Sequence, residues 1–287
     1  MTPLGTVVLY SAGHIGSATI LNRLVESDEF EVVGIVKAQT VPLTQKGLQR
    51  FRKYLQKTGL RFGWMLFWQQ IVQAIAYFVG RLIPGSRRIR PGWKVAEELG
   101  IPIYECENVN DDASVKFIES LGPDVLVSAY FNQILKSPVI QIPNRGVLNV
   151  HPGWLPRYRG AMAYFWVLRN GEERGGVSVH WIDEGIDTGP ILARRQFRLS
   201  RGITQQRVLV TTAVIGARLL TRVARQLIKS NELASLTQES LEPAAYFPMP
   251  SGQDFQVYST MRRFFRIRDV FAYLIKNRPR KLIHSAC

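Results

Sequence analysis

Apolar and polar positions along the first half of the chain fall into an alternation of strand-length apolar runs and amphipathic segments. Thr6 to Tyr10 is apolar throughout, and the turn Ser11-Ala12-Gly13-His14-Ile15-Gly16 carries it into an amphipathic helix, Ser17 to Glu26. Phe30 to Val36 reads as a second strand. Trp93 to Leu99 reads as a helix and Ile101 to Tyr104 as a short strand. Asp111 to Ser120 reads as a helix opened by an Asn110-Asp111-Asp112 cap, and Asp124 to Ala129 as a further strand. A β, α, β, α order up to Val150 predicts a parallel sheet. Beyond it, Val147 to Val150 and Gly176 to Trp181 have strand pattern, with another strand beginning at Pro190. Ala161 to Arg169, closed by Gly171, and Thr204 to Ser230 have helix pattern, the latter with an apolar stripe to lay on the sheet.

One segment breaks this rhythm. From about Gln39 to Gly92 the chain carries an insertion in which Phe62 to Val79, eighteen residues, holds no charge. At about 100° per residue, Gln69, Gln70, Gln73, Tyr77 and Gly80 share one arc, and Trp64, Phe67, Trp68, Ile71, Ile75, Phe78 and Leu82 the other. Three glutamines facing lipid argue against a membrane span. The pattern predicts an amphipathic helix with an aromatic face that lies on an anionic membrane surface or packs on protein.

Charge sharpens that picture. The 287 residues carry a net charge of +15. Between Ala38 and Ala96 there are eleven Lys or Arg residues and no Asp or Glu, and between Arg262 and Lys281 eight basic residues against Asp269 alone. The rest of the chain is therefore not basic, and the positive charge belongs to the insertion and to the C-terminal segment, where interleaved aromatics and arginines suit lipid head groups or nucleic acid. Hydrophobic content of 46% is ordinary for a globular protein. Cys106 and Cys287 give neither a disulfide framework nor a zinc spacing, and the N-terminus reads as a first strand with no basic leader, so a cytoplasmic setting without metal is expected.

Candidate chemistry collects in Gly146 to Gln196. A strand delivers Asn149 and His151 to its end, a Pro/Gly-rich loop follows, and the next strand ends in the polar loop Asp183 to Thr188. An amide such as Asn149 donates to an oxygen that becomes negative, and an imidazole moves a proton near neutral pH. A carboxylate such as Asp187 orients that imidazole. No Gly-x-Ser-x-Gly elbow is present and neither cysteine is near, so the attacking group comes from the substrate. Acyl-like transfer to an amine or to water fits such a trio. His180, on the alternating strand, reads as structural.

Asn149-Val-His151-Pro-Gly-Trp-Leu155-Pro156-Arg-Tyr-Arg159-Gly160, followed by Asp183-Glu-Gly-Ile-Asp187-Thr-Gly189, resembles the signature of the folate-dependent formyltransferases. The likeness is good over about 124–197, weak over 6–36, and nearly absent over 39–94 and beyond 232. It implies an α/β fold with a mixed, mostly parallel sheet and helices on both faces, here carrying a helical insertion at about 39–92. The implied division is a catalytic domain at 1–230 and a short basic C-terminal extension at 231–287. It further implies 10-formyltetrahydrofolate as formyl donor, with Asn149 holding the oxyanion, His151 shuttling the proton and Asp187 orienting His151. The donor would lie against Asn132, Gln133, Ile134 and Leu135 and against Asp183, Glu184 and Gly185, with Gly13, Arg159 and Gly160 on the acceptor side. The family usually reads Ser-Leu-Leu-Pro after the histidine, whereas this chain reads Gly153-Trp154-Leu155-Pro156, a variation expected near the acceptor entrance.

The resemblance leaves the acceptor open. A primary amine on a small molecule, such as an amino sugar on a nucleotide or lipid carrier, is preferred because charge and aromatic residues concentrate in the insertion. Methionyl-tRNA is the alternative, set against it by a C-terminal segment that looks too short and too helical for a β-barrel. A hydrolase releasing formate, or a basic lipid- or RNA-binding scaffold without chemistry, complete the readings.

Overall fold

The computed structural model describes residues 2–38, 45–82, 89–230, 233–261, 263–266 and 269. The predicted basic residues Arg87 and Arg88, and all but a few positions of the segment from Arg262 to Lys281, lie outside the described residues.

Seven strands form one sheet: β1 Leu4–Ser11, β2 Phe30–Ala38, β3 Ile103–Cys106, β4 Val125–Ala129, β5 Gly146–His151, β7 Arg174–Trp181 and β8 Ile191–Arg198, in the order β3-β2-β1-β4-β5-β7-β8. The first five are parallel, and β7 and β8 add antiparallel to the β5 edge. The apolar runs in β1 and β4 are continuous because both faces of these strands are covered. Val8, Tyr10, Val127, Leu148 and Val150 point to one core with helices α1 Ile15–Leu24, α4 Gly92–Leu99 and α8 Gln205–Lys229. Val7, Leu9, Leu126 and Val147 point to the other, closed by α5 Asp112–Ser120 and α6 Ser137–Ile140.

Local chemistry sets the ends. Asp111 caps α5 by accepting from Ser114 N at 2.8 Å, and Thr204 caps α8 by accepting from Arg207 N at 3.1 Å. Gly216 lets α8 approach β5 closely, since a Cβ there would lie 2.3 Å from Val150 Cγ1. Helix α7, Ala163–Arg169, starts two residues later than its pattern predicts. Arg159–Gly160 form a short strand, β6, that pairs in parallel with β9, Tyr246–Phe247, and Ala161 N then donates to Phe247 O at 2.9 Å. Strand β3 likewise starts later than its pattern predicts, at Ile103, after Pro102, which accepts from Ile35 N through its carbonyl but has no N–H to give a ladder.

The insertion is two helices, α2 Gln45–Thr58 and α3 Leu60–Leu82, and the chain after α8 ends its described part in α9 Gly252–Met261. These pack together on a third core: Phe62 of α3 lies 5.2 Å from Phe255 of α9 between ring centroids, and on Phe165 of α7 Phe255 packs at a tilt while Tyr258 stacks. Residues 233–261 therefore lie against the body that carries the sheet. Among the described residues no helix is long and apolar enough to cross a membrane.

The strand order reverses between β1 and β4, and ligands of open α/β sheets bind at the carboxyl edge of such a switch point. The loops after β1, β4 and β5 meet there. Asn132 N donates to Ser11 Oγ at 3.1 Å, and the His14 ring stacks on Tyr130 at 5.0 Å. Tyr130 in turn shares a 2.7 Å hydrogen bond with Thr212 of α8.

His14 makes this corner acid-sensitive. Its Nδ1 is buried without a partner, and burial pushes its pKa down to about 4. Below about pH 6.5 the unfolded chain takes up a proton that the folded chain refuses until about 4, so stability falls with pH across that window. His14→Phe keeps a ring on Tyr130 and removes the proton site. Its Tm should fall less than that of the unmodified protein between about pH 7 and pH 5, and parallel Tm profiles would assign the acid sensitivity elsewhere.

Candidate active site

Strand β5 carries Asn149 and His151 on successive outward turns of its pleat toward the carboxyl edge, and antiparallel β7 sets His180 directly opposite Asn149. The loop between β7 and β8 returns Asp187 to the same place. Asp187 adopts φ 54°, a left-handed conformation that aspartate tolerates better than most residues, and its carbonyl is held by Gln238 Nε2 at 2.9 Å. Gln238 also takes the Gly189 carbonyl at 2.8 Å, so the segment after α8 clamps this loop from behind.

The carboxylate of Asp187 divides its oxygens between two partners each. Oδ1 accepts from Asn149 Nδ2 at 3.2 Å and lies 3.5 Å from His180 Nε2. Oδ2 accepts from Gly160 N at 2.9 Å and lies 3.4 Å from His151 Nδ1. Burial pushes this carboxyl up, but the two imidazoles and the Gly160 amide together outweigh it and hold Asp187 well below the usual carboxylate range. Gly160 must be glycine for this geometry: φ is 98°, and a Cβ would lie 2.2 Å from Phe247 O.

Two carbonyls fix the tautomers. A carbonyl oxygen only accepts, so His151 donates Nε2–H to Tyr158 O at 2.6 Å and its neutral form presents an unprotonated Nδ1 to Asp187. His180 donates Nδ1–H to Trp181 O at 2.7 Å, leaving Nε2 to accept from Asn149 Nδ2 at 3.1 Å. His151 is buried, and that burial lowers its pKa against the opposing pull of Asp187. At rest the site therefore holds an ionised Asp187 and a neutral His151 whose free nitrogen faces the carboxylate. A proton arriving on Nδ1 forms an ion pair at once.

The three residues expected to carry chemistry are thus brought together. His180, expected to be structural, joins them through Asn149. The pairing of β7 on β5 puts it there, and no local pattern announces which strand an antiparallel edge strand will choose. Gln238 was equally silent, a polar residue some 50 positions away in sequence from the loop it holds.

The two loops expected to hold a donor also meet. Ser137 Oγ, just past the first loop, donates to Glu184 of the second. Gln133 ties the first loop down by accepting from Val109 N at 2.7 Å and donating to Glu107 O at 3.1 Å, while Leu135 is buried and Ile134 exposed. Asn110 Nδ2 donates to Ile134 O at 2.9 Å. In the second loop Asp183 Oδ1 accepts from Gly185 N at 3.1 Å and Thr188 Oγ1 at 2.6 Å, a turn that leaves Ile186 exposed.

On the expected acceptor side, Gly13 O accepts from Gln70 Nε2 of α3 at 3.2 Å. Arg159 donates from Nε to Gln238 Oε1 at 2.9 Å, a tie between β6 and the clamp. Trp154 faces neither loop: its Nε1 donates to Glu242 at 2.6 Å, its ring lies 4.0 Å under the Arg194 guanidinium, and it fits against the bare backbone of Gly176. The Gly153-Trp154 variation therefore locks the loop after β5 to β8 and to the segment after α8.

A family model described as formyl transferase matches residues 83–223, the stretch that holds every residue of this cluster except Gln238. Over that stretch, just under half of its length, the chain is similar to the formyl transferase family. Among curated relatives, methionyl-tRNA formyltransferase of Clostridioides difficile is 36% identical over 159 residues, 55% of this chain and 51% of that protein. Methionyl-tRNA formyltransferase of Syntrophus aciditrophicus is 35% identical over 175 residues, 59% of this chain and 54% of that protein. The chain thus spans about half the length of the curated relatives it matches. The fold of the chain is shared with an N-formyltransferase from Helicobacter canadensis solved with folinic acid and dTDP-3-aminofucose (TM-score 0.58, 16% identity, 92% of this chain and 81% of that one). A phosphoribosylglycinamide formyltransferase from Streptococcus pneumoniae has the same fold (TM-score 0.51, 18% identity, 78% of this chain and 99% of that one). The mixed, mostly parallel seven-stranded sheet is the architecture expected of the family.

Proposed function

We propose that this chain transfers a formyl group from 10-formyltetrahydrofolate to the primary amine of a small molecule, an amino sugar on a nucleotide or lipid carrier being the class preferred. The observation that carries the proposal is the Asp187 carboxylate shared between Asn149 and His151. Transfer of a formyl group requires a donor for the oxygen that becomes negative, and a base that takes a proton from the attacking nitrogen and returns one to the leaving nitrogen. His151 Nδ1 is that base: neutral at rest through burial, and stabilised by Asp187 once it carries the proton. Asn149 Nδ2 is the oxygen's donor. Both of its hydrogens are engaged at rest, one on Asp187 and one on His180 Nε2. A developing oxyanion is a stronger acceptor than an imidazole nitrogen, so the hydrogen on His180 is the one it draws away.

The donor would be held by backbone of 132–135 and 183–185, which the Ser137–Glu184 bond fastens to one another, with exposed Ile134 and Ile186 offering apolar surface to its flat ring. Gly13 and Gly160 would lie toward the acceptor.

Formylation of methionyl-tRNA is the second reading, favoured by the activity for which the curated relatives are named. Described residues 233–261 form a 3-10 turn, a two-residue strand and one helix folded back on the sheet-bearing body. Tetrahydrofolate release from 10-formyltetrahydrofolate, followed against amino-sugar nucleotides, lipid-linked amines and initiator methionyl-tRNA, tests both. Release dependent on a sugar amine is expected. Release dependent on the tRNA alone would replace the preferred acceptor, and release without any amine would make the protein a hydrolase.

A further inference from the structure

Helix α3 is mounted inside out. An amphipathic helix on a globular body normally buries its apolar stripe and turns its polar stripe to water. Here Phe62 and Met65, 2% and 7% exposed, mark the side that faces the protein, as does Gln70, which is exposed but donates to the Gly13 carbonyl. At about 100° per residue these three are centred opposite the arc of Trp64, Phe67, Trp68, Ile71, Ile75 and Phe78. That arc faces outward, with only Ile71 half-buried: Trp64 is 61% exposed, Phe67 52%, Trp68 41%, Ile75 43% and Phe78 63%. The rings are already clustered, with Trp64 stacked on Phe67 at 5.6 Å and edge-on to Trp68 at 5.8 Å. A continuous exposed apolar stripe of this size marks a surface that is covered in use.

Charge identifies what covers it. Arg52, Lys53 and Lys57 of α2 are exposed, and Gly63 of α3 packs on Leu55, which sets α2 alongside the stripe. From Ala38 to Ala96 the chain carries eleven basic residues and no acidic one. A second copy would bring the same uncompensated charge against it. Stacked nucleic-acid bases call for cations interleaved with the rings, and Phe62 to Val79 holds none. An apolar stripe with basic flanks is matched by an anionic lipid surface, where burial of the rings and attraction of the flanks act together.

We infer that α2 and α3 form an interfacial membrane anchor, with the aromatic arc from Trp64 to Phe78 seated among the head groups of an anionic bilayer. Because Gln70 of the same helix holds the loop after β1, this seating places the carboxyl edge of the sheet beside the bilayer.

Co-sedimentation with vesicles of phosphatidylcholine, with and without phosphatidylglycerol, tests the inference using the full chain. The protein should partition onto the anionic vesicles, with a blue shift of tryptophan emission, and this should weaken as salt is raised. The triple variant Trp64→Ser, Phe67→Ser, Trp68→Ser alters only exposed side chains and should lower the partition coefficient at least about tenfold. The pair Lys53→Glu, Lys57→Glu, which leaves the rings untouched, should weaken binding to anionic vesicles in the same direction, so that the inference stays testable should the triple variant fold poorly. Absence of binding to anionic vesicles, or binding undiminished in both variants, would overturn it. A concentration-dependent dimer, or RNA binding, that the triple variant abolishes while vesicles are ignored would overturn it in favour of a second copy or of RNA. Partition is read without turnover, so an inactive protein that still binds vesicles would count against the proposed formyl transfer and not against the anchor.

Discussion

Asp187→Asn should lower turnover of 10-formyltetrahydrofolate by on the order of 10⁴, the scale seen when the carboxylate of a catalytic triad is neutralised. The substitution is close to isosteric, and asparagine tolerates the φ of 54° at this position, so the loop should keep its shape. The main-chain carbonyl of residue 187 also stays on Gln238. What is lost is charge. Without it, only the Tyr158 carbonyl opposes the burial that keeps His151 neutral, and a proton taken up at Nδ1 has no counter-ion within 3.4 Å. Asn149 meanwhile faces a neutral amide at the position where it now donates to a carboxylate. Because the donor would be held by backbone of 132–135 and 183–185, its affinity should change little while kcat falls. Single-turnover rates and donor binding by fluorescence separate the two. Turnover within about tenfold of the unmodified protein would remove Asp187 from the mechanism, and a parallel loss of donor binding would make its role one of loop architecture.

Much of this site was legible in the sequence because its parts are local. Asn149 and His151 are two residues apart on one strand, and the polar loop that carries Asp187 announces itself by composition. The parallel half of the sheet was legible for the same reason, since each βα unit contributes its own apolar run and its own cap. The residues that escaped notice act across long separations. His180 depends on β7 pairing with β5, Gln238 on a return of the chain after α8, and β6 on finding β9. Strand pairing is chosen by tertiary packing, which a period of two in hydrophobicity does not encode. The helix of the insertion was legible as an amphipathic element, but not its orientation, because an aromatic stripe fits a core as well as it fits a bilayer. Only the packing of Phe62 and Met65 on Phe255 and on the residues around it shows which side faces in.

Asn149→Ala should reduce kcat by about 10²–10³, the loss that follows removal of one side-chain donor to an oxyanion. The effect should fall on kcat and kcat/KM alike, since a bond made only in the transition state contributes nothing to the affinity of either substrate. The alanine also removes a donor from Asp187 Oδ1 and another from His180 Nε2, so the measured loss includes the effect of a disturbed carboxylate. His180→Ala separates these contributions. If His180 serves to hold the Asn149 amide in place through Nε2, its removal leaves the amide its bond to Asp187 and should cost only about tenfold, while the two changes together should cost little more than Asn149→Ala alone. Additive losses would mean that His180 meets the substrate independently of Asn149. Asn149→Asp gives the sharper contrast: it sets a second carboxyl beside Asp187, where two like charges cannot both be ionised, and offers the oxyanion an acceptor in place of a donor. Its activity should lie below that of the alanine variant at neutral pH. Activity equal to or above it would show that the amide at 149 is not what the reacting oxygen meets.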